Sequence, residues 1–136
     1  MDLATLKAEL RRDEGVRLKP YRDAVGKLTI GVGRNLDDVG ITAAEAELLL
    51  DADVGRAAAD LDRTLPWWRR LTEARQRALL NMAFNLGLPR LLGFEGMLAA
   101  LAAGDPVRAA AEALDRRWAR QVGERAQRIA RMIREG

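Results

Sequence analysis

The stretch Asp13 to Asn35, DEGVRLKPYRDAVGKLTIGVGRN, decides how the rest of the chain is read. Before it, Asp2 followed by Leu3, Leu6 and Leu10 predicts a capped amphipathic helix that ends near Arg12 to Glu14. Gly15 and then Pro20 prevent that helix from continuing. The break matters for Glu14 and Asp23: in one unbroken helix they would sit on opposite faces, about 13 Å apart along the axis. A chain that turns back lets both carboxylates face one cleft. Behind the turn, Leu28, Ile30 and Val32 alternate with Thr29 and Gly31, which predicts a short strand with one apolar face and one small or polar face. Thr29 belongs to the polar face.

Taken singly, each of these residues has an ordinary reading. A glutamate after another acid at a helix end is commonly a solvated residue. Asp23 with Gly26 three residues on fits a type I turn, and a β-branched threonine suits any strand. The combination carries more. Glu14, then eight residues, Asp23, then five residues and Thr29, followed by Ile30-Gly31-Val32-Gly33, resembles the phage-type lysozymes (endolysins) of glycoside hydrolase family 24, of the T-even phage kind. Further along, Arg77-Ala78-Leu79-Leu80-Asn81-Met82-Ala83-Phe84-Asn85-Leu86-Gly87 is similar to the central helix of that family's larger lobe. Gly93-Phe94, Arg117-Trp118 and Glu124-Arg125-Ala126 then follow in family order.

The resemblance implies a muramidase that cleaves the β-1,4 bond between N-acetylmuramic acid and N-acetylglucosamine in peptidoglycan, with inversion, for host-cell lysis. It implies that Glu14 protonates the departing sugar oxygen while Asp23 and Thr29 hold the attacking water. Phe84 and Asn85 match saccharide-contact positions, although Phe84 fits equally well as core among Leu79, Leu80 and Met82. Arg125 matches an arginine that gives the catalytic glutamate electrostatic support, and a surface arginine on a basic helix is its plain alternative. Two other sugar-contact positions fall on Met97 and Glu112, where the small polar residues of the family are missing. Arg34 stands where family members often carry histidine, and an ion pair within the small lobe is its expected role. The insertion that often follows the glycine-rich strand is cut to a few residues, so one lip of the cleft is expected to be short.

Composition narrows the chemistry independently. The chain has 136 residues, 15.0 kDa, no cysteine and no histidine. Disulfides, thiolate or imidazole metal sites and every histidine-based triad are therefore excluded, and carboxylates remain as the chief acids and bases. No cofactor or metal is expected. Net charge is +3, and all but Lys7, Lys19 and Lys27 of the 23 basic residues are arginine. Such an excess suits an anionic partner or simply a soluble basic surface. No apolar run reaches the roughly 20 residues of a membrane span, and Met1-Asp2 does not open a signal peptide. The expectation is synthesis in the host cytoplasm and action in the periplasm or cell wall after release through a separate pore.

The remaining chain reads as helices. Asn35 to Gly40 is turn-rich, and Thr42-Ala43-Ala44-Glu45 is a capping box for a long helix that ends before Pro66. Trp67-Trp68-Arg69-Arg70 is either an interaction patch or, more commonly for indoles at a helix junction, lobe packing. Thr72 caps a helix ending at Gly87, and Pro89 and Gly93 mark short connections. Asp105-Pro106 starts a helix running toward Trp118. The last helix, from about Glu124, has Ala126, Ile129, Ala130 and Ile133 on one side and arginines on the rest.

The expected fold is α+β and lysozyme-like, with a small N-terminal hairpin lobe joined by a long helix to a larger helical lobe. Residues 1–136 form one catalytic domain, with the small lobe at about 13–41 and the helical lobe at about 66–136 plus the N-terminal helix. The expected partner is the peptidoglycan glycan strand. Contact of the last helix with anionic membrane or lipopolysaccharide is a further expectation, set against the reading that its apolar side closes the core. A monomer without nucleic-acid binding is expected, since no groove-reading motif is present. A lytic transglycosylase is the enzymatic alternative. A non-catalytic protein binding cell wall or membrane is the alternative from another class.

Overall fold

Asp2 opens the first helix as its sequence demands, accepting the Thr5 backbone N–H at 3.1 Å. The computed structural model describes all residues 1–136 and divides into two units, Met1–Leu48 and Leu49–Gly136. In the first unit, α1 (Leu3–Glu14) stops at Gly15, whose φ of 75° only glycine adopts readily and whose N–H returns to the Arg11 carbonyl. Three antiparallel strands follow in sheet order: β1 (Arg17–Arg22), β2 (Leu28–Gly31) and β3 (Arg34–Asn35). Pro20 is tolerated because β1 is an edge strand whose register slips between Arg17 and Tyr21.

One strand expectation is corrected. Val32 does not extend the strand: β2 ends at Gly31, and Val32-Gly33 form the turn into β3. Gly31 and Gly33 both lie at φ 68°, so the chain reverses there instead of continuing its alternation. The capping box forms as expected. Thr42 N–H donates to Glu45 Oε1 at 2.9 Å, and Glu45 N–H donates to Thr42 Oγ1 at 3.1 Å, starting α2 (Ala43–Thr64).

The second unit begins within α2 and continues through a short 3-10 turn (Trp68–Arg70) into six helices. These are α3 (Glu73–Leu86), α4 (Leu88–Leu92), α5 (Glu95–Ala102), α6 (Pro106–Leu114), α7 (Arg117–Val122) and α8 (Glu124–Glu135). Thr72 and Asp105 cap α3 and α6 through the N–H groups of Arg75 and Arg108. The core gathers Leu61 of α2, Leu79 and Met82 of α3, Met97 of α5, and Ile129 and Ile133 of α8, each essentially inaccessible. Complete burial of side chains this size stabilises by about 1.5–3 kcal/mol apiece. Alanines 109, 110 and 113 of α6 and 126 and 130 of α8 are also buried, and such small side chains allow these neighbouring helices to approach closely.

Two further expectations are adjusted. Pro89 lies not in a connection but in the first turn of α4, where a missing N–H costs nothing. The helix from Asp105 does not reach Trp118: it ends at Leu114, and Trp118 sits on the separate α7. Trp68 is buried with its Nε1–H donating to Asp62 Oδ1 at 2.8 Å, the packing role rather than an interaction patch. The apolar side of α8 is core. No helix is long and apolar enough to cross a membrane.

Candidate active site

Glu14 is the last residue of α1, and Gly15 fixes where the helix releases it. Its carboxylate rests against the backbone of the β2–β3 turn. A β-carbon built at Gly33 would stand 2.8 Å from Glu14 Oε2, closer than such atoms approach. The glycine in the Gly31-Val32-Gly33 motif therefore answers two requirements, a positive φ and room for the acid.

Asp23 sits at the head of the β1–β2 turn. Its Oδ1 accepts the Val25 N–H at 3.0 Å and the Lys27 N–H at 2.8 Å, and the backbone closes the turn with Gly26 N–H to Asp23 O at 3.0 Å. The ordinary turn reading holds: the turn orients the carboxylate, while Oδ2 accepts no protein hydrogen bond. Thr29, in β2 opposite Tyr21, is the one buried polar side chain, 3 % exposed. Its hydroxyl donates to the Lys27 carbonyl at 2.8 Å, which leaves the oxygen lone pairs to accept. The same carbonyl receives Asp23 N–H at 2.9 Å. Asp23 and Thr29 are thus held to each other through the backbone of Lys27, whose own ammonium is drawn away to Asp38 at 3.1 Å.

Around this core the small unit is braced by charge. Arg34 makes the expected ion pair, with Nη1 and Nη2 on Glu45 Oε1 and Oε2 at 2.9 and 2.5 Å and a further bond to the Gly40 carbonyl. The guanidinium, followed by the Thr42 N–H, pulls the Glu45 carboxyl down to about 2.

The second unit holds the other candidates. Phe84 is not core: it is 49 % exposed and lines a cavity of about 380 Å³ with Leu50, Val54, Leu80, Asn81 and Arg125. Asn85 accepts Trp118 Nε1–H on Oδ1 at 2.9 Å, so only its Nδ2 remains to donate outward. Arg125 is oriented by Asn81, with Nε to Oδ1 at 2.9 Å and Nη2 to the carbonyl at 3.4 Å. Met97 is buried and does not present itself to a ligand.

Sequence reasoning assigned no role to Asn81 or to the Lys27 backbone. The signal for Asn81 was its place three and four residues before Phe84 and Asn85, which puts all three on one side of α3. Nothing in a lysine's identity marks its main chain as a hub.

Known proteins resemble this chain over most of its length. The family model described as phage lysozyme matches residues 11–134. The chain is 33 % identical over 155 residues to the pre-baseplate central spike protein Gp5 of Enterobacteria phage T4, covering 93 % of this chain but only 27 % of that protein. It is 27 % identical to probable T4-type lysozyme 1 of Dictyostelium discoideum, covering 98 % of this chain and 96 % of the relative. An endolysin of Acyrthosiphon pisum secondary endosymbiont phage 1 is 34 % identical over 83 residues, covering 58 % of this chain and 55 % of the relative.

Proposed function

The chain belongs to the phage lysozyme family, a family of glycoside hydrolases, and we propose that this member is a muramidase acting on the β-1,4 bond between N-acetylmuramic acid and N-acetylglucosamine of peptidoglycan, with inversion, in host-cell lysis. The observation that carries the reading is the pairing of Asp23 and Thr29 through Lys27. Hydrolysis with inversion needs a water held on the face of the sugar opposite the proton donor. Asp23 Oδ2 accepts one proton of that water and acts as base. The Thr29 hydroxyl oxygen, its own proton committed to Lys27, accepts the other. The water oxygen then points its lone pair at the anomeric carbon.

Glu14, in its protonated form, gives its proton to the departing glycosidic oxygen. Gly33 leaves space for that carboxyl where any other residue would intrude. Phe84 offers an exposed ring to an apolar sugar face, and Asn85 Nδ2 supplies a donor beside it. Arg125, held by Asn81, matches the family arginine that gives the catalytic glutamate electrostatic support.

The test is turbidity loss of permeabilised bacteria with native protein and with Glu14→Gln, followed by analysis of the products. Clearing by the native chain alone, with reducing muramic ends of inverted configuration in the first NMR spectra, is expected. Equal clearing by both proteins ends the enzymatic reading. Anhydromuramic ends replace hydrolysis by a lytic transglycosylase.

A further inference from the structure

The second unit carries a concentration of positive charge that the proposed hydrolysis does not use. Arg90 of α4, Arg116 just before α7 and Arg117 at its start line a cavity of about 270 Å³ together with Gly93, Phe94 and Trp118. No acidic side chain lines it. None of the three arginines meets a carboxylate of this unit at ion-pair distance. Glu112 and Asp115 line a separate cavity with Arg108, which Glu112 approaches to 3.7 Å.

The walls of this pocket are held in place. Phe94 and Trp118 are both buried and meet edge to face, their centroids 5.8 Å apart at 87°. Trp118 is fixed in turn by Asn85. Arg116 lies over the Phe94 ring, its guanidinium carbon 4.7 Å from the centroid, and donates to the Gly93 carbonyl at 3.1 Å. A guanidinium stacked and bonded in this way is positioned before any ligand arrives, and it retains further N–H donors. Arg90 and Arg117 add two more positive forks at the same opening. Like charges gathered without counter-charge repel one another, and an anion that enters relieves that repulsion.

We infer that this cavity is a phosphomonoester-binding site. A carboxylate or a phosphodiester brings a single negative charge and would leave most of the cluster uncompensated. A phosphomonoester brings roughly −1.5 to −2 at neutral pH, with three strong acceptor oxygens, and meets planar guanidinium forks in pairs of hydrogen bonds. The same chemistry is found on phosphorylated sugars and on lipid headgroups. The inference is independent of the muramidase reading, because no residue of the pocket takes part in the proposed hydrolysis.

The native chain is titrated with inorganic phosphate and with glucosamine 1-phosphate at constant ionic strength. NMR follows the amides of Gly93 and Phe94 and the Trp118 indole N–H, and acetate and dimethyl phosphate serve as singly charged controls. Saturating shifts are expected with both phosphomonoesters, at affinities about tenfold above the controls. Arg90→Ala and Arg117→Ala, whose side chains make no ion pair to lose within the unit, are each expected to weaken phosphate about three- to tenfold at unchanged melting temperature. Vesicles of phosphatidylcholine with phosphatidic acid, beside vesicles with phosphatidylglycerol, separate the sources. Selective sedimentation with phosphatidic acid, lost in the double variant, assigns the site to a lipid headgroup. Soluble binding without sedimentation assigns it to a sugar phosphate. Shifts no larger than those with acetate, or shifts untouched by both substitutions, overturn the inference.

Discussion

Gly33 lies directly under the Glu14 carboxylate, so close that a β-carbon there would come within 2.8 Å of Oε2. Gly31, two residues earlier, shares the same φ of 68° but has nothing within 4 Å of its would-be β-carbon. Alanine at either position carries the backbone cost of a left-handed conformation, about 1–2 kcal/mol. Only Gly33→Ala also displaces the acid. We expect the two variants to melt at similar temperatures while Gly33→Ala loses about tenfold more activity than Gly31→Ala, a factor that corresponds to about 1.4 kcal/mol of barrier. Paired melts and turbidity assays decide it, and equal activities would show that the contact is merely steric.

On the proposed mechanism Asp23 has two jobs on two oxygens, and substitutions separate them. Asn retains an acceptor for the N–H groups of Val25 and Lys27, whereas Ala removes both bonds. Asp23→Ala should therefore cost about 1–2 kcal/mol of stability and Asp23→Asn well under that. Both lose the carboxylate that the proposed mechanism uses as base, so both should slow hydrolysis by about a hundredfold or more. Thermal melts alongside reducing-end release check this, and an Asp23→Asn protein of native activity would return the residue to a purely structural turn.

Thr29→Val conserves shape but removes the hydroxyl that bonds Lys27 and that, on the proposed mechanism, accepts from water. A rate loss of about tenfold or more is expected, with stability falling by about 1 kcal/mol because the Lys27 carbonyl keeps its bond from Asp23 N–H. Thr29→Ser, which restores the oxygen, should recover most of the rate. Failure of serine to rescue would mean that the methyl group matters and the water-holding role does not.

Acid should loosen the small unit through one pair in particular. The Arg34 hydrogen bonds, then that of the Thr42 N–H, lower the Glu45 carboxyl from its ordinary 4.5 to about 2. A group whose folded value is depressed binds fewer protons folded than unfolded, so its contribution is fully present above about pH 4.5 and is lost as pH falls toward 2. The native chain should thus exceed Glu45→Gln in melting temperature at pH 5 to 7, and the gap should close as pH falls to about 2. A gap that stays constant across this range would refute the assignment.

Much of this protein was legible along the chain because the groups concerned sit within about four residues of one another. The caps at Asp2, Thr42, Thr72 and Asp105, the stop at Gly15, and the Asp23 turn each rest on bonds between near neighbours, and local geometry suffices to specify such bonds. The spacing of Glu14, Asp23 and Thr29 was legible for another reason, as a family pattern written along the chain. Alternation alone misplaced Val32, because period-two patterning does not reveal where two positive-φ glycines will end a strand. It likewise read one helix where Leu114 and Trp118 fall on two.

Tertiary structure decided which distant groups meet. Gly33 receives Glu14, Trp118 takes the amide of Asn85, Arg125 takes that of Asn81, and Arg75 bonds the carbonyls of Ile133 and Arg134 at the end of α8. These partners are chosen when apolar faces bury against one another, and any polar group carried into that contact must find a donor or acceptor there. Such choices depend on how whole helices pack, which no local run of residues encodes.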